Sequence, residues 1–207
     1  MAAEFIKLYQ ENPERRKIEH IVNILRDGGL IIYPTDTIYG LGCDIFNAKA
    51  LEKVRRLKGV KGKGLNFSFI CHDLSNISEY AKVDTPTFKL MKRALPGPYT
   101  FILPASSNVP KILNASKKTI GIRVPDNDIP RYIVHELGNP IITTSIHEDN
   151  AHEYATDPEL IYDEFQSLVD VVIDGGYGDV MPSTVIDCTT GTPELVREGK
   201  GSWEDLI

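Results

Sequence analysis

The apolar positions of this chain switch repeatedly between helical and extended spacing. Ile18, Ile21, Val22 and Leu25 recur at helical intervals, which predicts an amphipathic helix opened by Asn12-Pro13 and stopped by Gly28-Gly29. The apolar run over 30–33 predicts a strand that Pro34 ends, because proline has no N–H to offer a central ladder. Further helices are predicted over 50–57, 74–81, 87–95, 129–137 and 157–168, with one helical turn over 110–113. Further strands are predicted over 66–71, 99–103, 119–124, 141–145, 169–173, 183–187 and 195–197. This alternation predicts an α/β (α+β) fold, a twisted mixed sheet flanked by helices, with residues 1–207 forming a single domain.

Composition adds little to the fold and narrows the function. The chain is 42% hydrophobic and 25% charged, without repeats or low-complexity tracts. Its apolar runs fall short of the ~18 residues of a membrane span, and the N-terminus lacks a basic-then-apolar leader, so a cytoplasmic protein is expected. Cys43, Cys71 and Cys188 are odd in number and widely spaced, which predicts buried thiols rather than a disulfide framework or a zinc knuckle. The net charge is −6, yet Lys49, Lys53, Arg55, Arg56, Lys58, Lys61 and Lys63 crowd into residues 48–64. A basic patch on an acidic protein fits a local anionic ligand such as a nucleotide better than a nonspecific coat for nucleic acid.

The stretch Tyr33-Pro34-Thr35-Asp36-Thr37-Ile38-Tyr39-Gly40 follows a strand and turns abruptly polar. It reads either as a ligand site at the carboxyl end of a strand or as a hydrogen-bonded turn between two strands. The glycine loop 59–64 is not a Walker motif, but Lys58, Lys61 and Lys63 could meet a polyphosphate as point charges; a solvated basic loop is the alternative. Ser145, His147 and His152 lack the frames of a serine hydrolase or a zinc enzyme. Arg123 lies among apolar neighbours on a predicted strand, so its guanidinium must meet an anion, whether a structural aspartate or a ligand.

Six motifs in one order resemble the YrdC/YciO family of threonylcarbamoyl-adenylate synthases. They are Pro34-Thr35-Asp36-Thr37-Ile38-Tyr39-Gly40-Leu41, Pro96-Gly97-Pro98-Tyr99-Thr100, Gly121-Ile122-Arg123-Val124-Pro125, Thr143-Thr144-Ser145, Ser183-Thr184-Val185-Ile186-Asp187 and Arg197-Glu198-Gly199. The resemblance implies a YrdC-like fold with a large, positively lined concave cavity. It implies conversion of L-threonine, bicarbonate and ATP to threonylcarbamoyl-AMP and pyrophosphate, feeding N6-threonylcarbamoylation of tRNA adenosine 37 alongside other tRNA-modification proteins. Thr35, Thr37, Tyr39, Arg123, Thr143 and Ser183 would form the threonine side; Lys58, Lys61, Lys63, Ser145 and Arg197 the ATP side. No protein nucleophile is implied, and Mg2+ would arrive with ATP. Lys58-Gly59-Val60 where the family usually shows K-x-R, and Ser145-Ile146-His147 where it shows S-x-N, point with Asn66-Phe67 to the YciO branch and imply weaker ATP use or another acceptor. The alternative function is a non-catalytic module binding double-stranded RNA or tRNA in the basic cavity.

Overall fold

A computed structural model describes residues 2–59, 67–109, 118–146 and 156–207. The predicted turn over 110–113, together with Lys61, Lys63, Asn66, His147 and His152, lies outside them. In chain order the elements are β1 (Glu4–Lys7), α1 (Arg15–Arg26), β2 (Ile31–Tyr33), β3 (Gly40–Asp44), α2 (Ala48–Leu57), β4 (Ser68–Ile70), α3 (Ile77–Tyr80) and α4 (Thr85–Ala94). They continue with β5 (Tyr99–Pro104), β6 (Thr119–Arg123), α5 (Asp128–Leu137), β7 (Ile141–Ser145), α6 (Pro158–Phe165), β8 (Val171–Asp174), β9 (Thr184–Asp187) and β10 (Glu194–Arg197). All the strands join one mixed sheet in the order β1-β8-β2-β3-β7-β4-β6-β5-β9-β10. The fold is thus the expected mixed α/β domain around a central sheet.

Local chemistry explains most helix starts. Side chains of Asn47, Asp84, Asn127 and Asp157 accept backbone N–H bonds at the starts of α2, α4, α5 and α6. Gly138 adopts φ 85° to close α5 where the sequence predicts a stop. The Asn12-Pro13 cap does not form: α1 starts at Arg15, and Glu14 precedes it without a side-chain cap. The apolar register Ile18, Ile21, Val22, Leu25 sets that helix, while the exposed pairs Arg15–Glu19 and Lys17–Glu14 line its first turns. Two other helices are shorter than predicted, α3 covering four residues and α6 ending at Phe165.

Two strands are absent from the sequence reading. β1 is an edge strand with mostly exposed side chains, so it carries no apolar run and is held by parallel pairing to β8. β3, Gly-Leu-Gly-Cys-Asp, has little intrinsic β preference, yet it is fully buried between β2 and β7.

The register sorts the side chains onto two faces. Ile32, Leu41, Cys43, Ile142, Phe69, Ile122 and Phe101 lie on one face and pack with α2, α3, α4 and α6 in the larger core. Ile31, Tyr33, Ile70, Ile141, Val171 and Ile173 lie on the other and pack against α1 and α5. Among the described residues no helix is long and apolar enough to cross a membrane.

The three cysteines are buried and free, as the sequence predicts. Burial pushes the Cys43 and Cys71 thiols up from 9.0 to about 12, and Cys188 to about 11. Their unfolded counterparts ionise near 9.0, so the thiol contribution to stability is intact below that pH and is lost as pH rises through the folded values. Denaturant midpoints should therefore fall steadily from pH 9 towards 12, and Ellman's reagent should titrate three thiols only after unfolding. Rapid labelling of the folded protein at pH 8 contradicts this assignment.

Candidate active site

The second face is covered by helices on only part of its area. Continuing the register across Gly42, Thr143, Ser68 and Gly121 leaves this stretch small and largely polar beyond the reach of α1 and α5, with Ile102 at its far border. Ser68, Ile102, Ser145 and Val185 stay partly open, whereas Phe69, Phe101, Ile122 and Ile186 on the opposite face are buried. A sheet face that lacks large apolar side chains cannot hold a helix by burial; it can take a ligand instead.

At one end of this face stands Arg123, the last residue of β6. One of its terminal nitrogens, Nη2, donates to Thr35 Oγ1 at 3.0 Å, Thr37 Oγ1 at 2.6 Å and Asp36 Oδ1 at 2.6 Å. β2 and β6 are four strand intervals apart, about 19 Å in a flat sheet. The connection after β2 and the long Arg123 side chain together span that separation, which sheet twist can shorten. The expected turn is formed: Tyr33 pairs with Gly40, so residues 34–39 connect two antiparallel strands, and the connection carries the polar cluster.

The connection is built to hold its shape. Thr35 Oγ1 donates to the Ile38 carbonyl at 2.8 Å and accepts from the Thr37 amide at 3.0 Å. From behind, Lys200 Nζ donates to the Asp36 carbonyl at 2.7 Å and to Asp179 Oδ2 at 2.8 Å, while the Asp179 amide donates to the Thr37 carbonyl at 3.1 Å. The Lys200 hydrogen bond is the main cause holding the Asp179 carboxyl below its usual range.

The remaining nominated residues fall into three smaller groups. Thr143 Oγ1 accepts from the buried Tyr33 hydroxyl at 2.6 Å, and burial raises that phenol above its ordinary value. Ser183 Oγ lies 2.9 Å from Thr100 Oγ1, and its carbonyl accepts from Arg197 Nη2 at 3.0 Å. Lys58 Nζ donates to the Ser145 carbonyl at 3.0 Å, so these two of the five residues assigned to the ATP side meet where β7 ends. Tyr39 differs: its hydroxyl donates to the Gly176 carbonyl at 2.7 Å and accepts from the Gly175 amide at 3.2 Å, and its ring belongs to the larger core. That hydroxyl holds the segment after β8 and makes no hydrogen bond to the Arg123 cluster.

Sequence reasoning passed over Asp36, Tyr33, Thr100, Lys200 and Asp179 as site residues. Asp36 sat within the quoted motif, and its placement between two threonines was the available signal. Lys200 and Asp179 had none, since their partners are 164 residues and 21 residues away respectively.

Among the described residues, cationic groups thus reach this face at three places, Arg123, Lys58 and Arg197. Two cavities of about 370 and 310 Å3 lie elsewhere, between α4 and the turn after β9, and share Thr87 and Gly191.

A family model described as telomere recombination, Sua5/YciO/YrdC, matches residues 23–199. The chain belongs to the Sua5/YciO/YrdC family. It is 43% identical over 206 residues to the YciO protein of Escherichia coli strain K12, covering 99% of this chain and all of that one. The crystal structure of E. coli YciO superposes with a TM-score of 0.91 at 42% identity, covering 99% of this chain and 100% of that one. A threonylcarbamoyl-AMP synthase of Thiobacillus denitrificans is 36% identical over 169 residues, 81% of this chain and 88% of the relative. Pyrococcus abyssi Sua5, solved in complex with L-threonine, gives a TM-score of 0.88 at 27% identity, covering 98% of this chain and 59% of that one. Sua5/YciO/YrdC relatives thus include named synthases, which supports a transferase family for this chain, alongside the more similar YciO.

Proposed function

We propose that the protein is a nucleotidyltransferase of the threonylcarbamoyl-AMP synthase type, binding L-threonine beside Arg123 and ATP towards Lys58. The observation that carries this reading is the buried Arg123 ringed by the hydroxyls of Thr35 and Thr37 at the end of a stretch of sheet lined by Gly42, Thr143, Ser68 and Gly121. A guanidinium and two hydroxyls suit a hydroxylated amino-acid carboxylate, and a relative has been crystallised with L-threonine.

In this reading the α-ammonium of threonine gives up a proton, and the free amine combines with bicarbonate to give a carbamate and water. A carbamate oxygen then forms a bond to the α-phosphorus as the bond to pyrophosphate breaks. The reaction joins anions in line, so the residues have to orient and neutralise rather than supply a nucleophile. Arg123 holds the carboxylate; Thr143 and Ser183 flank it on the same side of the sheet. Lys58, with Lys61 and Lys63, meets the phosphates, while Ser145 and Arg197 border the nucleotide. Mg2+ would be carried on the phosphates; among the described residues no three His, Cys, Asp or Glu side chains converge to hold a metal.

The product would serve N6-threonylcarbamoylation of tRNA in the cytoplasm. Incubation with Mg-ATP should release pyrophosphate only when L-threonine and bicarbonate are both present, with threonylcarbamoyl-AMP detected by mass spectrometry. Release that ignores either substrate, or no release together with salt-sensitive binding of double-stranded RNA, sinks the enzyme reading in favour of an RNA-binding module.

A further inference from the structure

The Arg123–Asp36 pair is only half satisfied. Asp36 Oδ1 takes the Nη2 bond at 2.6 Å, both side chains are 9% exposed, and yet Asp36 Oδ2 and Arg123 Nε are buried without a hydrogen-bond partner among the described residues. One is an acceptor carrying negative charge; the other is a donor carrying positive charge. A second cation stands close by, but Lys200 binds the Asp36 main-chain carbonyl and the Asp179 carboxylate instead. The carboxylate of Asp36 is thereby left with one buried oxygen that no described group bonds, and the Lys200 bond to its own backbone keeps the residue in place.

Buried polar atoms are nearly always paired, so two of opposite sign left open in one ion pair call for a ligand that answers both. A simple anion would meet Nε and be repelled by Oδ2; a simple amine would do the reverse. A zwitterion with adjacent carboxylate and ammonium groups satisfies the two together. We infer that Asp36 is a specificity-determining residue whose Oδ2 receives the α-ammonium group of the amino-acid substrate while Arg123 receives its carboxylate. This rests on the reading of an amino-acid subsite beside Arg123, and adds to it the requirement for a free amine and the residue that imposes it.

The test is calorimetric titration of the whole protein with L-threonine and with 2,3-dihydroxybutanoate of matching configuration, in which hydroxyl replaces the amine. The unaltered protein should prefer threonine by about 10- to 100-fold, the range of one hydrogen bond to a charged group. Asp36→Asn keeps an Oδ1 acceptor for Arg123 but presents an NH2 group where the ammonium would sit. It should weaken threonine by a similar factor, leave the hydroxy acid within about threefold, and so abolish the preference. Retained binding of the hydroxy acid shows that the variant is folded and that Arg123 is still in place.

Equal affinity of the unaltered protein for the two ligands overturns the inference, and does so even if Asp36→Asn does not fold. Parallel weakening of both ligands in the variant also overturns it, because Asp36 then acts only by holding Arg123. No effect on either ligand overturns it likewise. Failure of the unaltered protein to bind threonine at all is the distinct outcome, removing the amino-acid reading itself.

Discussion

Replacing Arg123 with methionine should destabilise the protein by about 3–5 kcal/mol and bring threonine binding below detection. The stability loss follows from what remains behind: Asp36 keeps its buried carboxylate beside two threonine hydroxyls and loses its only described counter-ion. In a chain of this length that loss corresponds to a thermal midpoint lowered by about 10 °C. Removing the orphaned charge as well should recover much of it, so Asp36→Asn in the Arg123→Met background is expected to be more stable than Arg123→Met alone. Arg123→Lys should fall between, because an ammonium keeps the charge but sits on a shorter side chain and lacks the further donors of the guanidinium. Chemical denaturation of the four proteins, with calorimetry of threonine binding, measures the whole set. A loss below about 1 kcal/mol for Arg123→Met, the size of an exposed pair, together with unchanged threonine affinity, refutes the assignment of Arg123 to the centre of the site.

Which parts of this site were legible in the sequence depends on how far their signals reach. Arg123 stood out because a charge on an apolar strand is costly wherever the strand lies, and Thr35 and Thr37 because they follow a strand that proline ends. Both inferences are local. That Arg123 meets the segment after β2 is not local, since it depends on the curl of a sheet whose order interleaves early and late strands. Tyr39 lies beside the threonines in sequence, but its ring packs in the opposite core and its hydroxyl holds the segment after β8. Tyr33 is the tyrosine on the same side of the sheet as Arg123 and Thr143. The strands β1 and β3 escaped for related reasons. One is too exposed and the other too glycine-rich to carry the alternation that identifies a strand, and pairing partners far along the chain decide both.

The glycines on that face carry the second large prediction. Gly121 pairs with Ser68 across β6 and β4, and a Cβ added there would stand 2.3 Å from Ser68 Oγ and 3.0 Å from its Cβ. Those atoms belong to a short side chain on a paired strand, with little freedom to withdraw. Gly121→Ala should therefore force the two strands apart and cost about 1–3 kcal/mol, the usual penalty of overpacking. Ser68→Gly by itself removes only a partly open hydroxymethyl group and should be mild, while the double variant restores the missing space and should regain most of the stability lost by Gly121→Ala. The same cycle reports on function. If the bare stretch of sheet serves only to let two strands pack, threonine and ATP affinities should return with stability in the double variant. If ligand lies over β6, affinity should stay reduced in the refolded double variant, because the new methyl group still occupies ligand space. Full recovery of both affinities removes Gly121 from the binding face and confines the site to the two ends, at Arg123 and at Lys58 with Ser145.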